Sequence, residues 1–356
     1  MTPQTDPAER FRRLIRDTGP VPVARWMGES NALYYASRDP LGAPGDFVTA
    51  PEISQMFGEL VGLWCTDLWR RAGSPVPIRY VELGPGRGTL AADALRAMAR
   101  HGLVPEVHFV EGSPALAALQ RQAVPQARVH GHLADLDGSA PMLLVANEFL
   151  DALPVRQLVR TAEGWREVVV TLDDRQDFTF AAGAQPMDAA LPAERADAPV
   201  GTVIETCPAA AALIAEVAQG LCRSGGAALL VDYGHLDART GSTLQAVRAH
   251  RRVDPLAHPG AADLTAHVDF AALAQLARRL GIGAVHATTQ GVFLESLGIG
   301  ARARALSAAA PARAEAIAAD RRRLAHPEAM GTLFKVMALV APGWPVPAGF
   351  QEELAA

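Results

Sequence analysis

The sequence predicts an α/β fold built on a Rossmann-like parallel sheet and enlarged by a helical N-terminal cap and by insertions. Two observations carry this. From Pro77 onward, short apolar runs ending in Gly or acidic residues alternate with helical stretches, the rhythm of strand–helix–strand units in a parallel sheet. The chain has 356 residues, 49% of them hydrophobic and 20% charged, which is enough apolar surface for a sizeable core and more length than one minimal α/β domain needs.

Residues 1–76 read as the helical cap. Its clearest helix follows Thr49-Ala50-Pro51-Glu52, where Ile53, Met56, Phe57, Leu60, Val61, Trp64 and Leu68 recur at spacings of three and four and share one face. Thr49 and Glu52 have the spacing of a capping box, and Pro51 suits a first helical turn. The core spans 77–340. Strands are predicted at 78–83, 107–111, 142–146, 227–232, 284–288 and 333–340, with helices at about 90–100, 114–123, 209–222 and 270–280. Three insertions interrupt the rhythm. Residues 155–205 alternate like a β-hairpin followed by an Ala/Pro/Asp-rich loop, 241–270 form a block of their own, and the Ala/Arg-rich 292–325 predicts an exposed helix broken near Pro311. Residues 341–356 form a C-terminal tail.

Composition narrows the function. A net charge of −5, from 33 Lys+Arg and 38 Asp+Glu, lacks the basic footprint of a nucleic-acid binder and points instead to a protein partner. Cys65, Cys207 and Cys222 form no CxxC pair, so neither a disulfide framework nor a zinc ribbon is indicated. The ten histidines, including His130, His132, His250, His258 and His267, have no helical or finger-type ligand spacing, and no metal site is assigned to them. Apolar runs are strand-sized, so no membrane insertion is expected. The first residues lack an apolar signal core and carry Asp6, Glu9 and Asp17, unlike a transit peptide, which predicts a cytoplasmic location.

The strand ending at Leu83 runs into Glu82-Leu83-Gly84-Pro85-Gly86-Arg87-Gly88-Thr89 and then a helix. Glycines there permit a tight turn and close approach of a ligand to the backbone and helix N-terminus. The glycines read GxGxG rather than GxGxxG, with an acid two positions before the first. This favours S-adenosylmethionine over a dinucleotide, because Glu82 can hold an ammonium group where a pyrophosphate site would avoid an anion. Glu111, at the end of the next strand, is placed to accept both ribose hydroxyls. Order also fits, since a final strand after 284–288 would complete a hairpin whose last strand is antiparallel. A dehydrogenase remains a distant alternative.

Seven stretches together resemble the MidA-like methyltransferases, whose mitochondrial members are respiratory complex I assembly factors. They are GDFVTAPEISQMFGELVGLW (45–64), VELGPGRGTLAADALR (81–96), ANEFLDALPVRQ (146–157), LLVDYGH (229–235), the block at 241–270, TQGVFLESLGI (289–299) and MGTLFKVMALV (330–340). One departure is Ala50, where the pattern has Ser. The resemblance implies a class I methyltransferase fold, S-adenosylmethionine as cofactor with S-adenosylhomocysteine as product, and methylation of a protein arginine, symmetrically on its terminal nitrogens, in a complex I core subunit. A homodimer is a further expectation. A small-molecule methyltransferase and an assembly chaperone that binds the cofactor structurally stay open beside it.

Loops after parallel strands face the crevice, which makes Asn147, Glu148 and Asp151 candidates. Methyl transfer to a guanidinium must align one nitrogen with the sulfonium and offset positive charge, and a carboxylate can do both. Glu148 is the expected orienting group, with Asp151 or Glu52 assisting. Alternatively, Asn147 and Asp151 stabilise the turn before Pro154, and Glu52 serves its capping box. Gly84, Pro85, Gly86, Gly88 and Thr89 join Glu82, Glu111 and Asn147 as cofactor candidates. Asp46, Phe47, Asp232, Tyr233 and His250 are candidates for substrate contact.

Overall fold

The computed structural model describes residues 6–37, 49–136, 138, 140–190 and 198–350. The chain divides into two compact units made of interleaved segments, a boundary unlike the cap-plus-core partition read from the sequence. One unit holds 41–150, 211–237 and 268–356; the other holds 1–40, 151–210 and 238–267.

The first of these is the sheet unit. Its elements are α1 (Ala50–Ile53), α2 (Gln55–Arg71), β1 (Arg79–Leu83), α3 (Thr89–Arg100), β2 (Glu106–Val110), α4 (Pro114–Ala123), β3 (Arg128–His130), β4 (Met142–Asn147), α5 (Pro208–Ser224), β5 (Gly226–His235), α6 (Phe270–Arg279), β6 (Ala284–Thr289), α7 (Gln290–Ser296), α8 (Ile299–Ala309), α9 (Ala314–Ala325) and β7 (Phe334–Val340). The strands order β3-β2-β1-β4-β5-β7-β6, and β7 runs antiparallel to both of its neighbours while the other pairs are parallel. Leu143, Val145, Leu229 and Val336 on the central strands are fully buried, as expected of a sheet covered on both faces.

Two local expectations change. The helix read as continuous from Thr49 is two helices, because Ser54 is extended at φ −161° and its hydroxyl accepts the Met56 N–H as the cap of α2. The Thr49 side chain makes no capping bond, so the Thr49–Glu52 capping box is absent. The strand β3 escaped the sequence reading because its three residues are polar-flanked and only partly buried.

The second unit is antiparallel. Arg156–Thr161 and Gly164–Leu172 form the predicted hairpin, joined by Val21–Pro22, Phe178–Pro186 and Val203–Thr206 in one sheet. Gln245–Arg248, Arg251–Val253 and Asp263–Thr265 make a three-stranded sheet from the 241–270 block. Phe11, Trp26, Met27, Val170 and Leu264 are buried at its core. Phe11 and Phe178 lie 4.4 and 4.7 Å, centroid to centroid, from the Trp26 ring, whose N–H donates to the Pro255 carbonyl at 3.1 Å.

Candidate active site

The cleft lies at the carboxyl ends of β1 and β4, where a doubly wound sheet opens a crevice. Glu82, Gly84, Pro85, Gly86, Thr89, Asn147, Glu148 and Glu52 line it together, with Thr49, Pro51, Arg87 and Leu90. Most of the cofactor and catalytic candidates read from the sequence therefore converge on one surface.

In the glycine turn, Gly84, Gly86 and Gly88 all have positive φ, and Gly88 caps α3 in the left-handed region. Gly84 has a second constraint: a Cβ there would stand 2.6 Å from Cδ2 of Phe149. The position needs both the conformation and the missing side chain. Gln120, fully buried on α4, donates from one amide nitrogen to the Gly86 carbonyl and to Glu111, both at 2.9 Å. Glu111 also accepts the Ser113 N–H at 2.7 Å. Sequence reading missed Gln120, although its place one helix after Glu111 could have suggested a tie back to the turn. Glu111 and Gly88 are not among the residues lining the cleft.

Glu82 is 3% exposed and accepts the Tyr80 hydroxyl at 2.6 Å. Burial pushes its carboxyl up to about 7, against a smaller downward pull from that hydroxyl. No cation balances it among the described residues.

Glu148 follows β4 with φ +51°, a left-handed conformation that costs a non-glycine residue roughly 1–2 kcal/mol. Its N–H donates to the Val231 carbonyl at 2.8 Å. One carboxylate oxygen accepts the Ala50 N–H at 3.0 Å and the Asn147 amide at 3.2 Å, which fastens the start of α1 to this loop. Oδ1 of Asn147 is buried without a hydrogen-bond partner.

Asp232, expected at the strand end as a substrate contact, sits within β5 at 1% exposure. Its Oδ2 accepts the N–H groups of Phe149 and Leu150 at 3.1 and 2.9 Å, and Oδ1 accepts that of Tyr233 at 3.0 Å. It holds the loop that carries Glu148. Tyr233 stacks edge-on against Phe334 at 5.5 Å. Asp151 belongs to the antiparallel unit, 6% exposed, and its carbonyl accepts the Ala266 N–H. His250 occupies the exposed turn of the hairpin between Gln245–Arg248 and Arg251–Val253, at φ +59°. Asp46 and Phe47 lie outside the described residues.

The residues present fit S-adenosylmethionine. A buried carboxylate without a counter-cation suits an ammonium, the glycine turn leaves room against the backbone, and the unpartnered Asn147 oxygen offers an acceptor. The strand order with antiparallel β7 and this crevice define a class I S-adenosylmethionine-dependent methyltransferase. Residues 60–288 match the family described as S-adenosyl-L-methionine-dependent methyltransferase, and the chain belongs to that family.

Among its relatives, the mitochondrial protein arginine methyltransferase NDUFAF7 of Xenopus laevis is 37% identical over 329 residues, covering 82% of this chain and 74% of that protein. The human protein of the same name is 35% identical over 364 residues, covering 92% and 81%. A solved structure from Burkholderia thailandensis, bound to S-adenosyl-homocysteine, superposes with a TM-score of 0.83 at 30% identity, covering 96% of this chain and 93% of its own. These relatives overturn the cytoplasmic location expected from the N-terminal residues, since the curated ones are mitochondrial proteins. An acid-bearing N-terminal stretch is no gauge of compartment. No helix among the described residues is long and apolar enough to cross a membrane.

Proposed function

We propose that the chain methylates a terminal nitrogen of a protein arginine, symmetrically on the two nitrogens, in a core subunit of respiratory complex I, and thereby supports assembly of that complex. The names of its relatives support an arginine acceptor. The observation that carries the reading is Glu148, a carboxylate fixed in an unfavourable backbone conformation on the wall of the cleft that also holds Glu82 and the glycine turn.

When bound, S-adenosylmethionine supplies an electrophilic methyl group on a sulfonium. Glu82 would take the ammonium, Asn147 an N–H of the cofactor, and Glu111, tied to the glycine turn through Gln120, the ribose hydroxyls. Glu148 accepts guanidinium N–H groups, draws positive charge toward them and turns one terminal nitrogen to the methyl carbon. That nitrogen would take the methyl group through its lone pair, and the cofactor would leave as the neutral thioether with the electrons of the broken S–C bond. The nitrogen then loses a proton to water. Glu52 adds negative charge to the same cleft.

The purified protein added with labelled S-adenosylmethionine to extract from a strain lacking the gene should mark a complex I subunit on an arginine, and extract without the added protein should stay unlabelled. With Glu148→Gln, transfer should fall about 100-fold, or about 2.7 kcal/mol in the barrier, while S-adenosylhomocysteine affinity by calorimetry stays within about threefold. Transfer at the wild-type rate would remove Glu148 from this role.

A further inference from the structure

We propose that the helices inserted between β6 and β7 form a second binding site, a recess for an acidic peptide segment that also carries apolar side chains. The recess encloses about 780 Å³ between α7, α8 and α9. Gly291 and Gly331 close one end, where α7 approaches the end of α9 so tightly that a Cβ on Gly291 would stand 2.4 Å from the Ala325 carbonyl oxygen. Arg304 and Arg322 stand on its exposed rim.

Charge points to the occupant. Of the six arginines in this insertion, two are held by carboxylates. Arg302 binds Glu59 through two nitrogens, each at 2.7 Å, and Arg321 binds Glu295 at 2.8 and 3.2 Å. The Arg304 and Arg322 side chains make no hydrogen bond or ion pair among the described residues. Two unmatched guanidiniums above a largely apolar floor, on a chain whose net charge is −5, ask for an anion with apolar surface beside it. Exposure favours a peptide over a small molecule: small ligands bind where 70–90% or more of their surface is enclosed, and this rim is open. A polypeptide laid across the opening can reach both arginines and set an apolar side chain on the floor. The helix α9 also contacts α1, whose Pro51 and Glu52 line the cleft. The inference rests on the chain acting on a protein, and it extends that reading to a docking contact remote from the methylated residue.

The test is binding, not turnover, so its failure is separate from a failure of methyl transfer. Full-length protein with S-adenosylhomocysteine is titrated into a fluorescein-labelled peptide of repeated Glu-Leu-Asp-Ala units, and anisotropy is read at 50 and 300 mM salt. Binding should be saturable and weaken with salt, and the same peptide with Lys at the acidic positions should not bind. The double variant Arg304→Glu, Arg322→Glu should bind at least tenfold more weakly with unchanged circular dichroism and S-adenosylhomocysteine affinity. Absence of binding, equal binding of the Lys peptide, or an unaffected double variant would overturn the proposal. So would displacement of the peptide by millimolar octanoate that itself binds as tightly, which would assign the recess to a small carboxylate.

Discussion

Two strand ends meet at the cleft, and they make their sharp turns in opposite ways. After β1 the chain turns through glycines that accept left-handed backbone at no steric cost, with Gly84 leaving room for Phe149. After β4 it places a glutamate in that same left-handed region, and other groups must hold it there. Asp232 binds the next two N–H groups, and Val231 binds that of Glu148 itself. A turn that approaches a ligand with its backbone can be built from glycine alone. A turn that must present a carboxylate needs outside support, and that support comes from the neighbouring strand β5.

The largest expected effect comes from removing that support. Asp232→Ala orphans three main-chain N–H groups, two of them in the Glu148 loop, and should cost about 4 kcal/mol in urea unfolding, with methyl transfer lost even where the protein is folded. An effect below about 1 kcal/mol would mean the Glu148 loop holds itself.

Next comes Glu82, the buried charge beside the glycine turn. Its folded-state value of about 7 lies above its ordinary 4.5, so the folded form binds the proton more tightly than the unfolded chain. The resulting stabilisation is complete below pH 4.5 and is lost as pH rises through 7, a difference of about 3 kcal/mol. Without cofactor, Glu82→Gln should therefore unfold at higher urea than wild type at pH 8 and match it near pH 4, while binding S-adenosylmethionine more weakly. Equal stability at pH 8 would show that the carboxylate is already compensated.

Gly84→Ala should cost about 2 kcal/mol, from the positive φ and the contact with Phe149. If the two turns differ as described, the loss should shrink in a Phe149→Ala background, measurable as a double-mutant cycle. The smallest effect is expected from Tyr80→Phe. It removes the hydroxyl that holds the Glu82 carboxyl down, and should raise its midpoint in a carbon-13 titration, worth about 1 kcal/mol.

How much of this was legible in the sequence follows the same divide. The glycine turn announced itself because its residue types are its mechanism, and six of the eight strands of its sheet stood out as apolar runs. Glu148 was found by its place after a strand, but its left-handed backbone was not, since nothing in Asn-Glu-Phe-Leu distinguishes that conformation. Asp232 looked like a rim residue because its partners lie 82 and 83 positions earlier in the chain and only the β4–β5 pairing brings them together. Glu52 was given to a capping box that Ser54 displaces by breaking the helix. The two interleaved units were illegible for a related reason: local periodicity reports which face is buried, not which distant segment covers it.

That interleaving also bears on the order in which the protein is made. Trp26 emerges early from the ribosome, but Phe178 and Pro255, which cover its ring and accept its N–H, come far later. The antiparallel unit is complete only with residue 267. At the usual 5–20 residues per second, residues 6–37 wait roughly ten to fifty seconds for their last partners, while the whole of 41–150 is synthesised in between. The apolar side of Phe11, Trp26 and Met27 must be sheltered during that interval, so cellular yield should depend on chaperone supply and translation speed more than the finished structure's stability would suggest.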